Sequence, residues 1–365
     1  GWIESGVSWL SDTVTNLMAE GSLRNLIVDG IISGVGGVIV FLPNILILFF
    51  FISLMEDTGY MARAAFIMDK LMHKIGLHGK SFIPLLMGFG CNVPAIMATR
   101  TLESRKDRIL TMLIIPFMSC SARLPVYVLL ISAFFPKNQG LVLLSVYLFG
   151  ILIAILSSIL FKRVFFRRDE APFVMELPPY RIPTTRSVVR HMWSKGVQYL
   201  RKMGTIILVA SVIVWALSHY PTGDGSLTPA QQQEQSYIGR IGKAIEPAIR
   251  PLGFDWQIGV SLVSGLAAKE IVVSTMAVLT DTGDNEITLT EKLQEQVYTQ
   301  GDRAGEKVYT PLVAYSMMIF ILLYFPCIAA IRKEAGRSWA AFTLFYTTGL
   351  AWLMSFIVYQ VGGLF

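Results

Sequence analysis

Residues 109–135 read ILTMLIIPFMSCSARLPVYVLLISAFF, an apolar run with one cation, Arg123, and with Pro116 and Pro125 bracketing its centre. The run exceeds the ~20 residues that cross a ~30 Å hydrocarbon layer. It lacks the period-two alternation of a barrel strand, and in lipid a helix pairs its own backbone groups. Blocks 31–55, 141–161, 203–217 (extended to about 219), 312–331 and 339–359 have the same character. Mean hydropathy is +0.56 and 15% of the 365 residues are charged, against about a quarter in a soluble domain. The chain reads as an all-α polytopic helical membrane protein.

The net charge of +6 is no nucleic-acid signal, because the basic residues sit between apolar blocks. Stretches 56–80, 99–108, 162–202 and 332–338 hold 21 of the 31 Lys and Arg. Segments 1–30, 135–140, 220–257 and 281–310 hold 8, and Arg123 and Lys269 lie inside apolar segments. The positive-inside rule puts the first set in the cytoplasm. The N-terminus then falls outside, and a start at Gly1-Trp2 with no Met and no signal peptide predicts missing upstream sequence. Three cysteines in apolar surroundings do not make a disulfide framework.

A shift of 177 residues lays 60–99 over 237–276 without a gap. Tyr60 falls on Tyr237, Arg63 on Arg240, Asp69 on Glu246, Gly76 on Gly253 and Gly88 on Gly265. Removing the polar insertion 281–310 changes the offset to 207 and sets Cys120-Ser-Ala122 on Cys327-Ile-Ala329. Each half reads as a spanning helix, an amphipathic segment, a Gly-interrupted re-entrant segment and two spanning helices. Three crossings per half make the halves inverted repeats, the plan of secondary transporters with a site near mid-membrane. The predicted parts are an external segment 1–30, a first repeat 31–161, a basic cytoplasmic linker 162–202 and a second repeat 203–365.

The interruptions carry the chemistry. In Pro84-Leu-Leu-Met-Gly88-Phe-Gly90-Cys91-Asn92-Val-Pro94, two glycines and a proline predict a broken helix. Carbonyls freed there, with Cys91 and Asn92, would make a cation site; the alternative is a packing kink around a small buried thiol. In Ser119-Cys120-Ser121-Ala-Arg123, a thiol stands with hydroxyls and a cation that must face protein or water. Arg123 would then support a metal-binding thiolate, or pair with an acid such as Glu270. Cys327 is the repeat mate of Cys120, and two such thiols can approach a pseudo-twofold axis. The mate of Cys91 is Ala268, followed by Lys269 and Glu270, candidates for an ion path or for a salt bridge. Thiolates, an acid and amides suit a transition metal over Mg²⁺ or Ca²⁺ without selecting iron. His73, His78, His191 and His219 show no metal-ligand spacing, the sixteen Met read as packing, and no phosphate loop of the Gly-x-x-x-x-Gly-Lys type occurs.

At Glu56-Asp-Thr-Gly-Tyr60-Met-Ala-Arg-Ala-Ala-Phe66, Gly88-Phe-Gly-Cys91-Asn-Val-Pro94, Ser119-Cys120-Ser-Ala-Arg123 and Pro326-Cys327, the chain resembles the membrane domain of the ferrous iron transport protein B family, in its gate motifs. The resemblance implies a permease rather than an enzyme, taking up Fe²⁺ across the bacterial inner membrane. Fe²⁺ is cargo, and no cofactor is expected to stay bound. Cys91, Cys120 and Cys327 would handle the metal along a path with Asn92, Ser119, Arg123, Lys269 and Glu270. Family members usually carry an N-terminal cytoplasmic GTP-binding domain and an earlier spanning helix, neither of which is read in these residues. Implied partners are that domain, small accessory proteins and the lipid bilayer, and a homo-oligomeric pore competes with a pore inside one subunit. The alternative is a secondary transporter of a small organic solute such as a nucleoside, contacted by Asn92, Lys269 and Glu270. An intramembrane hydrolase would need a base, and no His lies in a spanning segment.

Overall fold

The computed structural model describes residues 2–18, 21, 24, 26–165, 180, 182–200, 205–220, 235–265, 272–273, 275–276, 286–297, 306–324 and 327–364. Among them the chain is helical throughout, apart from one isolated bridge between Val297 and Lys307. α1 (Trp2–Leu17) packs on α2 (Ser33–Asp57), a 25-residue helix whose length of about 37 Å suffices to span lipid. Gly59, at φ 76°, turns the chain from α2 into the amphipathic α3 (Tyr60–Lys74). α4 (Phe82–Gly90) and α5 (Asn92–Ala98) form the first interrupted segment. α6 (Arg105–Ile114) and α7 (Leu124–Phe134) are the two halves of a second, broken at 115–123. α8 (Gln139–Val164) follows as a spanning helix of 26 residues.

The segment read as a linker contains a helix, α9 (Thr185–Tyr199), which packs along α2. α10 (Thr205–His219) opens the second half. There α11 (Tyr237–Ile249) and α12 (Trp256–Ser264) correspond to α3 and α4. The insertion likewise contains a helix: α13 (Glu286–Glu295) buries Leu289 and Leu293, an i,i+4 pair, and packs on α7. α14 (Pro311–Leu323) and α15 (Ile328–Ala335) are the broken pair of this half, and α16 (Arg337–Gly362) ends the fold. Arg105–Phe134, α8 and α16 are the described stretches long and apolar enough to cross a bilayer.

The repeat has a backbone signature. α3 and α11 start on equivalent tyrosines and are each followed by a left-handed glycine, Gly76 at φ 89° and Gly253 at φ 80°. Only glycine enters that region without a Cβ penalty. The broken pairs run antiparallel. Arg108, entering the first pair, meets Glu334, leaving the second, at 3.1 Å. At the other end Gln294 on the insertion donates to Ala133 O. Loops 99–108 and 332–338, both read as cytoplasmic, therefore share one face, and 135–140 and the described part of the insertion, 286–297, approach the opposite one.

That second face holds a buried acid. Asp255 caps α12, its Oδ1 accepting from Ile258 N–H at 2.9 Å. Burial, opposed by that N–H and reinforced by Glu246, pushes Asp255 up to about 6 from 3.8. The folded state then binds the proton more tightly than the unfolded one. Its stability falls as pH rises from about 4 to 6, by roughly 3 kcal/mol from this group. Asn caps nearly as well and carries no charge. D255N is therefore expected to melt higher than the parent at about pH 7, with the gap closing near pH 4. Parallel melts at the two pH values check it, and a gap of the same size at both would refute the assignment.

Candidate transport site at the helix breaks

The three cysteines occupy the same structural position. Cys91 separates α4 from α5 with φ −152° and ψ 128°. Cys120 (φ −86°, ψ 161°) precedes the 3₁₀ turn Ser121–Arg123, and Cys327 (φ −68°, ψ 73°) precedes α15. Each thiol stands where one helical segment has ended and the next begins, beside N–H groups that have no intrahelical partner. Prolines fix the places. Pro94 and Pro125 fall in first turns, where a missing N–H is no loss.

Gly88 and Gly90 do not adopt unusual angles; both are helical, and the chain breaks one residue later. Gly88 is needed for close approach, since a Cβ there would lie 3.0 Å from Cβ of Met118 in the second break. The breaks are also bonded to each other. Ser121 Oγ donates to Gly90 O at 2.9 Å, so the residue after Cys120 holds the residue before Cys91. Tyr324, at the third break, donates to Leu262 O at 3.4 Å and lies within electrostatic reach of Arg123 and Tyr127. α15 packs on α5. Cys120 is buried, whereas Cys91 and Cys327 are half-buried. Among the described residues no three His, Cys, Asp or Glu side chains are grouped to hold a metal ion. The three thiols thus do not gather into one cage with each other or with an acid among the described residues.

Around them lie buried polar groups without partners among the described residues. Asn92 is 1% exposed, and neither its Oδ1 nor its Nδ2 is hydrogen-bonded. Ser119 Oγ is near the Tyr127 hydroxyl, yet neither completes a bond of normal geometry. Each such group costs about 1–3 kcal/mol if left dry, so this cluster is built for water or a polar guest. Tyr127 was not among the candidates read from the sequence. Its signal was the i,i+4 spacing from Arg123, which sets both on one side of the chain.

Arg123 is fully buried and has no acid among the described residues. Its Nη1 donates to Met118 O at 3.1 Å and its Nη2 to Pro116 O at 3.0 Å. The guanidinium is therefore a clamp on two carbonyls at the break. Lys has no fork to span two carbonyls, and Met has no donor. R123K is expected to lose about 2 kcal/mol and R123M somewhat more, read as melting temperature in detergent. Unchanged melting in both variants would show that the carbonyls are satisfied otherwise. Lys269 and Glu270 lie outside the described residues.

The family model called Gate, described as nucleoside recognition, matches 38–134 and 200–337, one block on each half of the repeat. The chain belongs to the Gate family. Between the blocks, 143–195 match the model for the ferrous iron transport protein B C terminus. The chain is 55% identical to a Porphyromonas gingivalis protein named Fe(2+) transport protein A/Fe(2+) transporter FeoB fusion protein, over 100% of this chain and 47% of that one. It is 47% identical to the Fe(2+) transporter FeoB of Staphylococcus aureus, over 94% of this chain and 50% of the relative. The corresponding values for the Campylobacter jejuni transporter are 44%, 98% and 58%. The chain spans about half the length of the curated relatives it matches. No solved structure matches it. The likeness first read from the gate motifs thus stands on whole-chain similarity as well.

Proposed function

We propose that this Gate-family chain is the permease part of a transporter that carries Fe²⁺ across the bacterial inner membrane. The observation that carries the reading is the placement of all three thiols at helix breaks, two of which are joined by the Ser121–Gly90 bond. The relatives' names supply the metal. Fe²⁺ enters at the face of the 281–310 insertion and exchanges water for Cys120 and Cys327. It then passes Cys91 and the Asn92 amide toward the face of loops 99–108 and 332–338. Separate stations serve passage better than a cage, because an ion bound by several thiolates at once would not leave. Soft thiolates favour a transition ion over the more abundant hard cations. A GTP-binding domain would act on this path in the longer protein. The fusion named in the P. gingivalis relative makes a small accessory protein part of the proposal.

A second reading has one observation behind it, the Gate family's description as nucleoside recognition. One assay separates the two. Liposomes reconstituted with the chain are expected to admit radioactive Fe²⁺ and to exclude a labelled nucleoside. Nucleoside entry without Fe²⁺ entry would reverse the assignment.

A further inference from the structure

The amphipathic α3 carries apolar side chains on both sides, with Lys70, His73 and Lys74 exposed among the outer ones. Met61 and Ala65 line an open cavity of about 440 Å³ formed with α2, α4 and α5, within the usual range for a ligand pocket. On its other side Tyr60, Phe66, Ile67 and Leu71 are exposed. In a membrane protein such a mixed outer face lies at the boundary of lipid and water. Trp193 on α9, 62% exposed, and Tyr60 are aromatics of the kind that sit at the headgroup level. The cavity therefore opens near the membrane–water interface. Its walls are apolar, with Phe49, Ile52 and Ile83 among them, while Lys80, Arg100 and Lys195 stand with Glu56 at its solvent-reaching edge.

The three cations come from three separate basic stretches, 56–80, 99–108 and 162–202. Lys80 holds the exposed Glu103 at 2.8 Å and Arg100 holds Glu334, and both keep unused N–H donors. Lys195 is exposed and has no ion pair among the described residues. Apolar walls with cations gathered at an interfacial edge match an amphiphile with a negative head.

We propose that this cavity binds an anionic phospholipid of the leaflet facing the basic loops. One acyl chain lies along Phe49, Ile52 and Ile83, and the phosphate sits at Lys80, Arg100 and Lys195. The proposal rests on the membrane setting alone and is independent of the iron reading.

Native mass spectrometry and melting of the chain in mild detergent test it, with phosphatidylglycerol and phosphatidylcholine of identical acyl chains and with inorganic phosphate. Phosphatidylglycerol should stay bound and raise the melting temperature, whereas phosphatidylcholine and free phosphate should do neither. A cation near an anionic lipid surface is worth about five-fold in binding, so K80A/K195A should weaken phosphatidylglycerol roughly 25-fold. A62F, which fills the cavity from α3, should abolish retention. The Lys80 and Lys195 side chains reach solvent, so their variant carries the test even if A62F fails to fold. Equal retention of both lipids, protection by phosphate alone, or parental affinity in K80A/K195A would each overturn the proposal. The last result would leave the cavity to another occupant, such as a segment of a longer protein.

Discussion

Replacing Arg100 and Arg108 together by alanine is expected to destabilise the protein by about 3–5 kcal/mol, far more than neutralising the acid they share. The acid is Glu334, near the end of α15, whose side chain is 3% exposed. Arg100 reaches it with Nε at 2.7 Å and Nη2 at 2.5 Å, and Arg108 adds Nη2 at 3.1 Å. The cations belong to the first half and the acid to the second. Exposure is unequal: the Arg100 side chain is 52% exposed and that of Arg108 30%. Neutralise the acid as E334Q and both guanidiniums can rehydrate, so the loss is about 1 kcal/mol. Remove both cations and a carboxylate remains buried without compensation. The sharper expectation concerns the triple variant. R100A/R108A/E334Q should recover most of the loss, because the stranded charge is gone and the three residues act as one unit. Denaturant unfolding of the four proteins in one detergent gives the order. A triple variant no more stable than the double would mean that Glu334 is hydrated and the latch is a surface feature.

Sequence patterning was enough to place the helix breaks and the turning glycines, because each is a local signal. The offset of 177 predicted that Gly76 and Gly253 are equivalent, and both adopt the left-handed backbone. The offset of 207 set Cys120 on Cys327, and both precede a helical turn in non-helical backbone. Proline and glycine act on their immediate neighbours, so such breaks can be read without knowing the fold. What could not be read depends on distant segments. The carbonyls that Arg123 holds are available only because the chain breaks nearby, while Glu270, the acid expected beside it, lies outside the described residues. Glu334 appeared as one carboxylate in a basic loop, and nothing local marked 99–108 as its destination. Met61, Met87 and Met97 looked scattered, yet all three line the cavity beside α3. The insertion concealed α13 because its mixed composition masks the Leu289–Leu293 pair.

Replacement of Cys91, Cys120 or Cys327 by serine should lower Fe²⁺ entry into reconstituted liposomes at least about tenfold per site, since even outer-shell partners of a metal are worth 10–100-fold. Serine keeps the size of the side chain and substitutes a hard, neutral oxygen for a soft sulfur, so the loss reports on chemistry more than on packing. Melting must be followed alongside. Cys120 is buried among apolar neighbours, and its hydroxyl replacement is expected to lose about 1 kcal/mol for want of a partner. The half-buried Cys91 and Cys327 should lose less stability for the same loss of flux. Tyr127 supplies the contrast. Its buried hydroxyl has no hydrogen bond of normal geometry, so Y127F should stabilise the fold by about 1 kcal/mol. If that hydroxyl meets the passing ion, the more stable protein will be the slower one, a trade usual for functional groups held at a loss. Parental flux in all three serine variants would remove sulfur from the path. Parental flux in Y127F alone would leave the thiols in place and confine that hydroxyl to holding water.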